Sequence, residues 1–215
     1  MSHSTTGRWP RSPLSSLRRF GKPLKTDIKA LVQLRELEGL RIYIVDGVFQ
    51  PAFVQILYSI LRNLPFSLSD YDNPETKHLL HWKYEFALDG FAANPVYRNW
   101  HDNIVAKTNE LFPNQKLFRV YCNNSSYGDH QHPHVDNEDP IPGVTSLYFA
   151  NAEWHENWHG EILLYDSRAE PFFAVAPKPG RVLIFPGNIM HRGGVPSRRC
   201  FEPRLSVPFK FISSG

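Results

Sequence analysis

The sequence predicts a mainly β domain with flanking helices, an α+β chain whose C-terminal part is an antiparallel sandwich or barrel. Short β-type runs recur after residue 116, separated by turn signals such as Lys178-Pro-Gly and Pro186-Gly-Asn. Before that point, two segments carry apolar residues at helical spacing. The predicted strands are Leu117–Cys122, Thr145–Ala150, Glu161–Tyr165, Phe172–Ala176, Arg181–Phe185 and Leu205–Ile212.

The N-terminal region is predicted as an arm followed by a helix and a strand. Residues 1–25 are rich in Ser, Pro, Arg and Lys and indicate a flexible basic arm. Thr26–Glu38 is predicted as a short helix with Thr26 or Asp27 as its N-cap. Leu40–Val45 alternates and contains β-branched residues, which predicts a strand.

Two amphipathic helices are predicted in the middle of the chain. The first begins at Pro51 and ends near Leu64, and the second spans Tyr97–Leu111. The Asn/Asp/Pro-rich residues 66–95 between them indicate long loops with short strands.

Composition restricts the function classes. A length of 215 residues suits one domain with a sizeable core, and a net charge of +3 is too small to indicate nucleic acid. No apolar run approaches the ~20 residues of a membrane span. Cys122 and Cys200 do not make a disulfide scaffold and are expected to be reduced thiols. We therefore expect a cytoplasmic protein without nucleic-acid or membrane partners; the sequence makes no prediction of its oligomeric state.

A cluster of possible metal ligands follows the predicted strand at residues 117–122. In an extended segment His130, His132, His134 and Asp136 would share one face, because alternate residues point the same way. His191 comes 57 residues after His134, just beyond a predicted strand. A His-x-Asp pair with a distant histidine is the ligand set of non-haem Fe(II) sites, which leave coordination positions open.

The last predicted strand has one apolar and one polar face. Arg204, Ser206 and Lys210 alternate with Leu205, Val207, Phe209 and Phe211. A guanidinium with a hydroxyl two residues on is well suited to a carboxylate. The alternative is an edge strand with its polar face in water, which Pro208 leaves open.

Together these residues resemble the Fe(II)/2-oxoglutarate-dependent dioxygenases, in particular their prolyl-4-hydroxylase-like branch. The resemblance covers roughly residues 40–212 and includes Ile44-Val-Asp-Gly-Val-Phe49 and Pro179-Gly-Arg-Val-Leu-Ile-Phe-Pro-Gly187. It implies a double-stranded β-helix, or jelly-roll, barrel buttressed by N-terminal helices. It also implies a single oxygenase domain over residues 26–215, with helical support at 26–115 and the jelly-roll core at 116–212.

The resemblance also implies roles. His134, Asp136 and His191 would be the catalytic iron ligands, Arg204 and Ser206 would bind the distal carboxylate of 2-oxoglutarate, and Tyr121 is a further candidate for a cosubstrate contact. Arg198 and Arg199 are nearer to His191 but lie in a predicted loop. The implied reaction uses Fe(II), 2-oxoglutarate and O2 and hydroxylates a substrate with release of succinate and CO2.

The substrate is predicted to be a polar small molecule, such as an amino acid or a natural-product intermediate, in preference to a peptide. Tyr127–Pro133 and Ala152–His159 should border the open face, and they supply Tyr, His, Asp, Glu and Trp side chains. Within the second segment we expect Trp158 to plug the barrel and Trp154 to act as a lid.

Two other interpretations of the same residues are open beside the 2-oxoglutarate-dependent dioxygenase. In a cupin-type dioxygenase, His132, His134, Glu138 and His191 would bind the metal, but Pro133 separates the first two and Arg204 would have no role. In a non-catalytic barrel, the two tryptophans would stack on a sugar or peptide.

Overall fold

The computed structural model describes residues 30–137 and 143–214, so the predicted basic arm over residues 1–25 lies outside the described residues. The described part is mainly β with few helices, which confirms the predicted fold class. Its helices are α1 (Pro51–Leu61), α2 (Gly90–Ala93) and α3 (Pro95–Leu111). Its strands are β1 (Leu31–Leu37), β2 (Leu40–Asp46), β3 (Ser67–Asp70), β4 (His81–Glu85), β5 (Gln115–Ser125), β6 (Val144–Phe149), β7 (Ile162–Tyr165), β8 (Pro171–Val175), β9 (Val182–Pro186), β10 (His191–Gly193) and β11 (Arg204–Ser213).

The strands form two antiparallel sheets packed as a jelly roll. The larger sheet has the order β1-β2-β9-β6-β11-β5-β4-β3, and the smaller has the order β10-β7-β8. A first apolar core joins the two sheets, with Leu147 and Phe185 on the larger and Ile162 and Leu164 on the smaller. Alternate residues of each strand point into this core, as the period-2 pattern requires.

The helices cover the outer face of the larger sheet. Trp100 and Ile104 of α3 are fully buried in a second core that includes Phe209 of β11. Thr108 of α3 hydrogen-bonds Ser146 of β6 at 2.7 Å between hydroxyl oxygens, so these two buried hydroxyls are satisfied. The opposite face of β11 is thereby left for the polar side chains.

The predicted helix over Thr26–Glu38 is wrong where the structure describes it. Leu31–Leu37 form β1, which pairs with β2 so that Leu37 lies opposite Leu40. The turn residues Glu38 and Gly39 have φ of 50° and 81°, as a two-residue hairpin with both central residues at positive φ requires. The hairpin turn and the neighbouring strand override local helix propensity, and β1 extends the large sheet.

The other predicted elements agree more closely with the structure. The predicted strand at Leu40–Val45 is β2, and α1 ends at Leu61 rather than near Leu64. Helix α3 begins at Pro95, where Asn94 caps it by accepting a hydrogen bond from Val96 N at 2.9 Å. None of the described helices is long and apolar enough to cross a bilayer.

Candidate active site

Three side chains from distant parts of the chain converge at the edge of the small sheet. One ligand atom each from His134, Asp136 and His191 lies within 4.8 Å of the others. Backbone hydrogen bonds between His134 and His191, at 3.0 and 2.9 Å, hold the two histidines opposite each other. Among the residues that the structure describes, this is the one group of three or more potential ligands.

Backbone carbonyls fix the orientation of both imidazoles. His134 Nδ1 lies 2.9 Å from the carbonyl of His132, and His191 Nδ1 lies 2.9 Å from that of Ile189. A carbonyl only accepts, so each Nδ1 carries the proton and each Nε2 presents its lone pair. Both Nε2 atoms lie 3.6 Å from an oxygen of Asp136, an arrangement that could hold a divalent metal.

Asp136 is buried and hydrogen-bonded on one oxygen. Its Oδ2 accepts from Thr145 Oγ1 at 2.5 Å and contacts the ammonium of Lys210. Burial by itself would raise the pKa of this carboxyl, but Lys210 and the two histidines outweigh that effect and hold the pKa far below its usual value. The carboxylate is therefore ionised, and Oδ1 is the oxygen without these two donors.

Arg204 lies deeper in the same cavity. Its side chain is fully buried, its Nη1 donates to the carbonyl of Gly160 at 2.8 Å, and its buried Nε has no partner among the described residues. Burial lowers the pKa of Arg204 to about 10, so the guanidinium is still charged at neutral pH. Ser206, also buried, lies on the same face of β11. The charge of Glu161 acts on this guanidinium, but no carboxylate of the described residues lies within salt-bridge distance of it, so the site can bind an anion.

Tyr121 also lines this cavity. Its ring lies 4.4 Å from the guanidinium carbon of Arg119 and 5.9 Å from Lys210 Nζ. Burial raises the pKa of the phenol well above 10, so it is a neutral hydroxyl at physiological pH. The predicted metal, cosubstrate and Tyr121 positions thus share one cavity of about 280 Å³, whose rim includes Asp70 and Tyr71.

Some predicted positions are not brought together. Residues 126–137 form no continuous strand, so His130, His132, His134 and Asp136 do not lie in a row on one strand face as predicted. The exposed His130 packs instead against His132, with ring centroids 4.9 Å apart. His132 is not in the ligand group, and Glu138 lies outside the described residues, so the cupin set does not assemble in the described chain. Arg198 and Arg199 are exposed and do not line the cavity.

The loop Ala152–His159, called the tryptophan loop below, does not contribute to the lining of the cavity. Neither Trp154 nor Trp158 lines it, and their rings pack edge to face with centroids 5.4 Å apart. Trp154 Nε1 donates to the carbonyl of His159 at 2.9 Å. This placement suits a structural plug for both rings and gives the predicted lid role of Trp154 no support.

The sequence analysis gave no role to several polar residues of the cavity, among them Asp72, Gln131, Thr145 and Lys210. Asp72 accepts hydrogen bonds from the His132 N–H and from His81, whose Nε2 lies 3.0 Å away, so it ties the loop after β3 to the ligand segment. The alternation of β11 did place Lys210 beside Arg204 and Ser206, and this was the available signal for it. Asp72 and Gln131 lie in irregular segments, where periodicity says nothing about direction.

Comparison with known proteins agrees with this geometry. The sequence model described as the 2OG-Fe(II) oxygenase superfamily matches residues 118–210, which contain all the residues discussed as ligand and anion contacts. A search of curated proteins found no match.

Solved structures share the fold at low sequence identity. A prolyl-4-hydroxylase from Pseudomonas putida is 14% identical with a TM-score of 0.58, covering 81% of this chain and 93% of its own. A Trichoplax adhaerens prolyl hydroxylase, solved with a hypoxia inducible factor peptide fragment, is 14% identical with a TM-score of 0.60 and coverages of 80% and 83%. HygX from Streptomyces hygroscopicus, solved with nickel and 2-oxoglutarate, is 16% identical with a TM-score of 0.60 and the same coverages.

The family match and the converging His-Asp-His group agree with each other. Fe(II), 2-oxoglutarate and O2 are the cofactor and cosubstrates of this family. Residues 118–210 match the 2OG-Fe(II) oxygenase superfamily, and the described chain shares its fold with prolyl hydroxylases and other 2OG-Fe(II) oxygenases of known structure.

Proposed function

We propose that the protein hydroxylates a polar small molecule, with His134, Asp136 and His191 as the iron ligands. The observation that carries the proposal is the convergence of these donors in one cavity with a buried guanidinium whose Nε has no partner among the described residues. The donor set suits the metal: two neutral imidazoles with free Nε2 lone pairs and one ionised carboxylate occupy one side and leave the cavity side open. Bound Fe(II) supplies the redox chemistry that couples decarboxylation of 2-oxoglutarate to oxidation of a C–H bond.

Arg204 and Ser206 bind the distal carboxylate of 2-oxoglutarate in this proposal. The guanidinium offers a fork of donors, and the Ser206 hydroxyl points from the next inward position of β11. Tyr121 donates its neutral phenol to a cosubstrate oxygen. Burial excludes water from this end of the cavity and strengthens each of these contacts.

Lys210 and Thr145 hold the iron-binding carboxylate. Both donate to Oδ2 of Asp136, which leaves Oδ1 to face the metal position. The carboxylate is thereby fixed in one rotamer before any ligand arrives, a form of preorganisation that metal sites use to set their geometry.

A polar small molecule is proposed as the substrate because carboxylates and aromatic rings line the cavity together. The lining includes Asp70 and Asp72 and the half-exposed aromatic rings of Tyr71 and Phe118. The family model does not distinguish substrates, and the structural relatives include a prolyl hydroxylase solved with a peptide. Peptides are therefore the class against which the proposal must be tested.

Succinate production across a panel of amino acids, other small polar metabolites and proline-containing peptides tests the substrate class. We expect Fe(II)-loaded protein to form succinate in step with oxidation of a small polar compound. Asp136→Ala should abolish this turnover. Turnover coupled only to peptides would replace the small-molecule proposal, while absence of succinate from every mixture would contradict oxygenase activity itself.

A further inference from the structure

One buried amide in the cavity has no role in the site described so far. Gln131 is 7% exposed and lines the cavity at the end that holds Arg204. Among the residues that the structure describes, none hydrogen-bonds to its side-chain amide. Neither polar atom of this amide is among the fully buried side-chain atoms without a partner, so the amide reaches the cavity, where a ligand can replace water as its hydrogen-bond partner.

The backbone makes room for this amide beside the guanidinium. A methyl group on Gly193 would overlap both Gln131 Oε1 and Arg204 Nη2. The Gln131 amide oxygen and the Arg204 guanidinium therefore both lie beside the Gly193 α-carbon, and any side chain at position 193 would displace one or both. Gly193 belongs to β10, two residues after the proposed ligand His191, so the strand that presents the ligand also shapes this polar end.

The polar groups around Arg204 can make more hydrogen bonds than they make within the described protein. Arg204 Nε is buried without a partner among the described residues. A carboxylate offers about four acceptor positions on its two oxygens. The Arg204 fork can fill two and the Ser206 hydroxyl a third, which leaves one position for a neutral N–H donor such as the Gln131 amide.

We propose that Gln131 is a specificity residue that, together with Arg204, binds the distal carboxylate of the oxo-acid cosubstrate. The inference rests on the proposed cosubstrate role of Arg204 and adds a neutral donor to it. Gln131 thereby favours a 2-oxo acid with a second carboxylate over one that ends in a methyl group. Its contribution concerns that carboxylate alone and not the metal-binding end of the cosubstrate.

Binding titrations of two 2-oxo acids into Mn(II)-loaded protein test this inference by calorimetry. 2-Oxoglutarate carries the distal carboxylate, and 2-oxopentanoate has the same chain length without it. For Gln131→Leu we expect ~10- to 100-fold weaker binding of 2-oxoglutarate, the usual effect of losing one hydrogen bond to a charged group. The affinity for 2-oxopentanoate should stay within about twofold. Gln55→Leu, the same change at an exposed position of α1, is the matched control.

A second variant guards against a general loss of folding. Gln131→Glu is nearly isosteric but places a carboxylate beside Arg204, so it should weaken 2-oxoglutarate binding more than Gln131→Leu while still binding 2-oxopentanoate. Equal losses for both oxo acids in both variants would overturn the inference, since Gln131 would then only shape the cavity. Unchanged 2-oxoglutarate affinity in Gln131→Leu beside a clear loss in Arg204→Met would overturn it and leave the proposed function intact. Failure of wild-type protein to bind 2-oxoglutarate would overturn both.

Discussion

At the scale of single residues, the site depends on backbone carbonyls as much as on its three proposed ligands. Each histidine directs Nδ1 to the carbonyl of the residue two positions before it. This local contact selects the tautomer without a further side chain, so both Nε2 atoms face the proposed metal position. The carboxylate between them is oriented instead by side chains from two other strands, Thr145 and Lys210.

Burial of His191 predicts how the stability of the metal-free protein changes with pH. Desolvation lowers the pKa of His191 to about 4, although the charge of Asp136 opposes it. Below about pH 6.5 the unfolded chain takes up a proton here that the folded chain does not, until the pH passes through about 4. The contribution of this residue to stability should therefore fall, by on the order of 3 kcal/mol, as the pH drops between these values.

Urea denaturation of metal-free protein at pH 7, 5.5 and 4.5 measures this effect. Because other groups titrate in the same range, the relevant quantity is the difference from His191→Gln, which should show a shallower fall. Parallel pH profiles for the two proteins would mean that His191 is not held neutral by burial.

Lys210 should matter for metal affinity although it is not a proposed ligand. Lys210→Met leaves a buried carboxylate short of one donor and free to rotate, so Mn(II) should bind ~10- to 100-fold more weakly. Lys210→Arg should recover part of that loss. Metal affinity that stays the same or increases in Lys210→Met would contradict an orienting role.

The sequence predicted residues whose direction follows from strand alternation or from spacing in a known pattern. His134, Asp136 and His191 lie together, and Arg204 and Ser206 lie on the inward face of β11. Gln131 and Asp72 could not be found in this way, because their side chains point into the cavity from irregular segments whose path depends on contacts far along the chain.

At the scale of elements, the smallest pieces were the hardest to predict. Strand β10 has three residues, too few for any periodic pattern, and is held by pairing with β7. Strand β1 of the β1–β2 hairpin was predicted as part of a helix, because its apolar residues also fit helical spacing and the Glu38-Gly39 turn was not recognised. Long strands with a full alternation, such as β11, were predictable because one of their faces is buried under α3.

The tryptophan loop should help to keep Arg204 in position, because the Trp154 ring packs against the Gly160 backbone that binds the guanidinium. An added Cβ on Gly160 would come within 3.0 Å of Arg204 Cδ and 3.2 Å of Trp154 Cζ2, so the ring and the arginine stem flank the same backbone. Trp154→Ala should cost about 1–2 kcal/mol of stability, because the ring is half-buried. It should also weaken 2-oxoglutarate binding several-fold, because the Gly160 carbonyl that holds Arg204 gains freedom to move.

Thermal unfolding and calorimetric titration of the same samples separate these two effects. Trp82→Ala, at an exposed position of β4, is the matched control and should change neither quantity appreciably. Unaltered 2-oxoglutarate affinity in Trp154→Ala would remove the supporting role and leave only packing.

At the scale of the whole molecule, the aromatic core that stabilises the fold and the proposed site lie on opposite faces of the large sheet. Its outer face is buried by α3 and carries the aromatic core around Trp100, whereas its inner face carries the cavity. The two faces share the strands but few side-chain contacts, since successive residues of β11 alternate between them.

Removal of Trp100 tests this separation. Trp100→Ala should lower the free energy of unfolding by about 3–5 kcal/mol, as expected for a fully buried large aromatic residue. Mn(II) affinity measured under folding conditions should change little. A large loss of metal affinity in protein that is still folded would show that the helical layer helps to form the site.

In the proposed function, one cavity binds Fe(II) through His134, Asp136 and His191 and 2-oxoglutarate through Arg204. An anaerobic optical titration of Fe(II)-loaded protein with 2-oxoglutarate tests it most directly. A visible charge-transfer band should appear and saturate at one equivalent. In Arg204→Met it should require far more 2-oxoglutarate, and in His191→Ala, which should lose Fe(II), it should be absent. Protein that retains Fe(II) and develops no such band with 2-oxoglutarate would contradict the account.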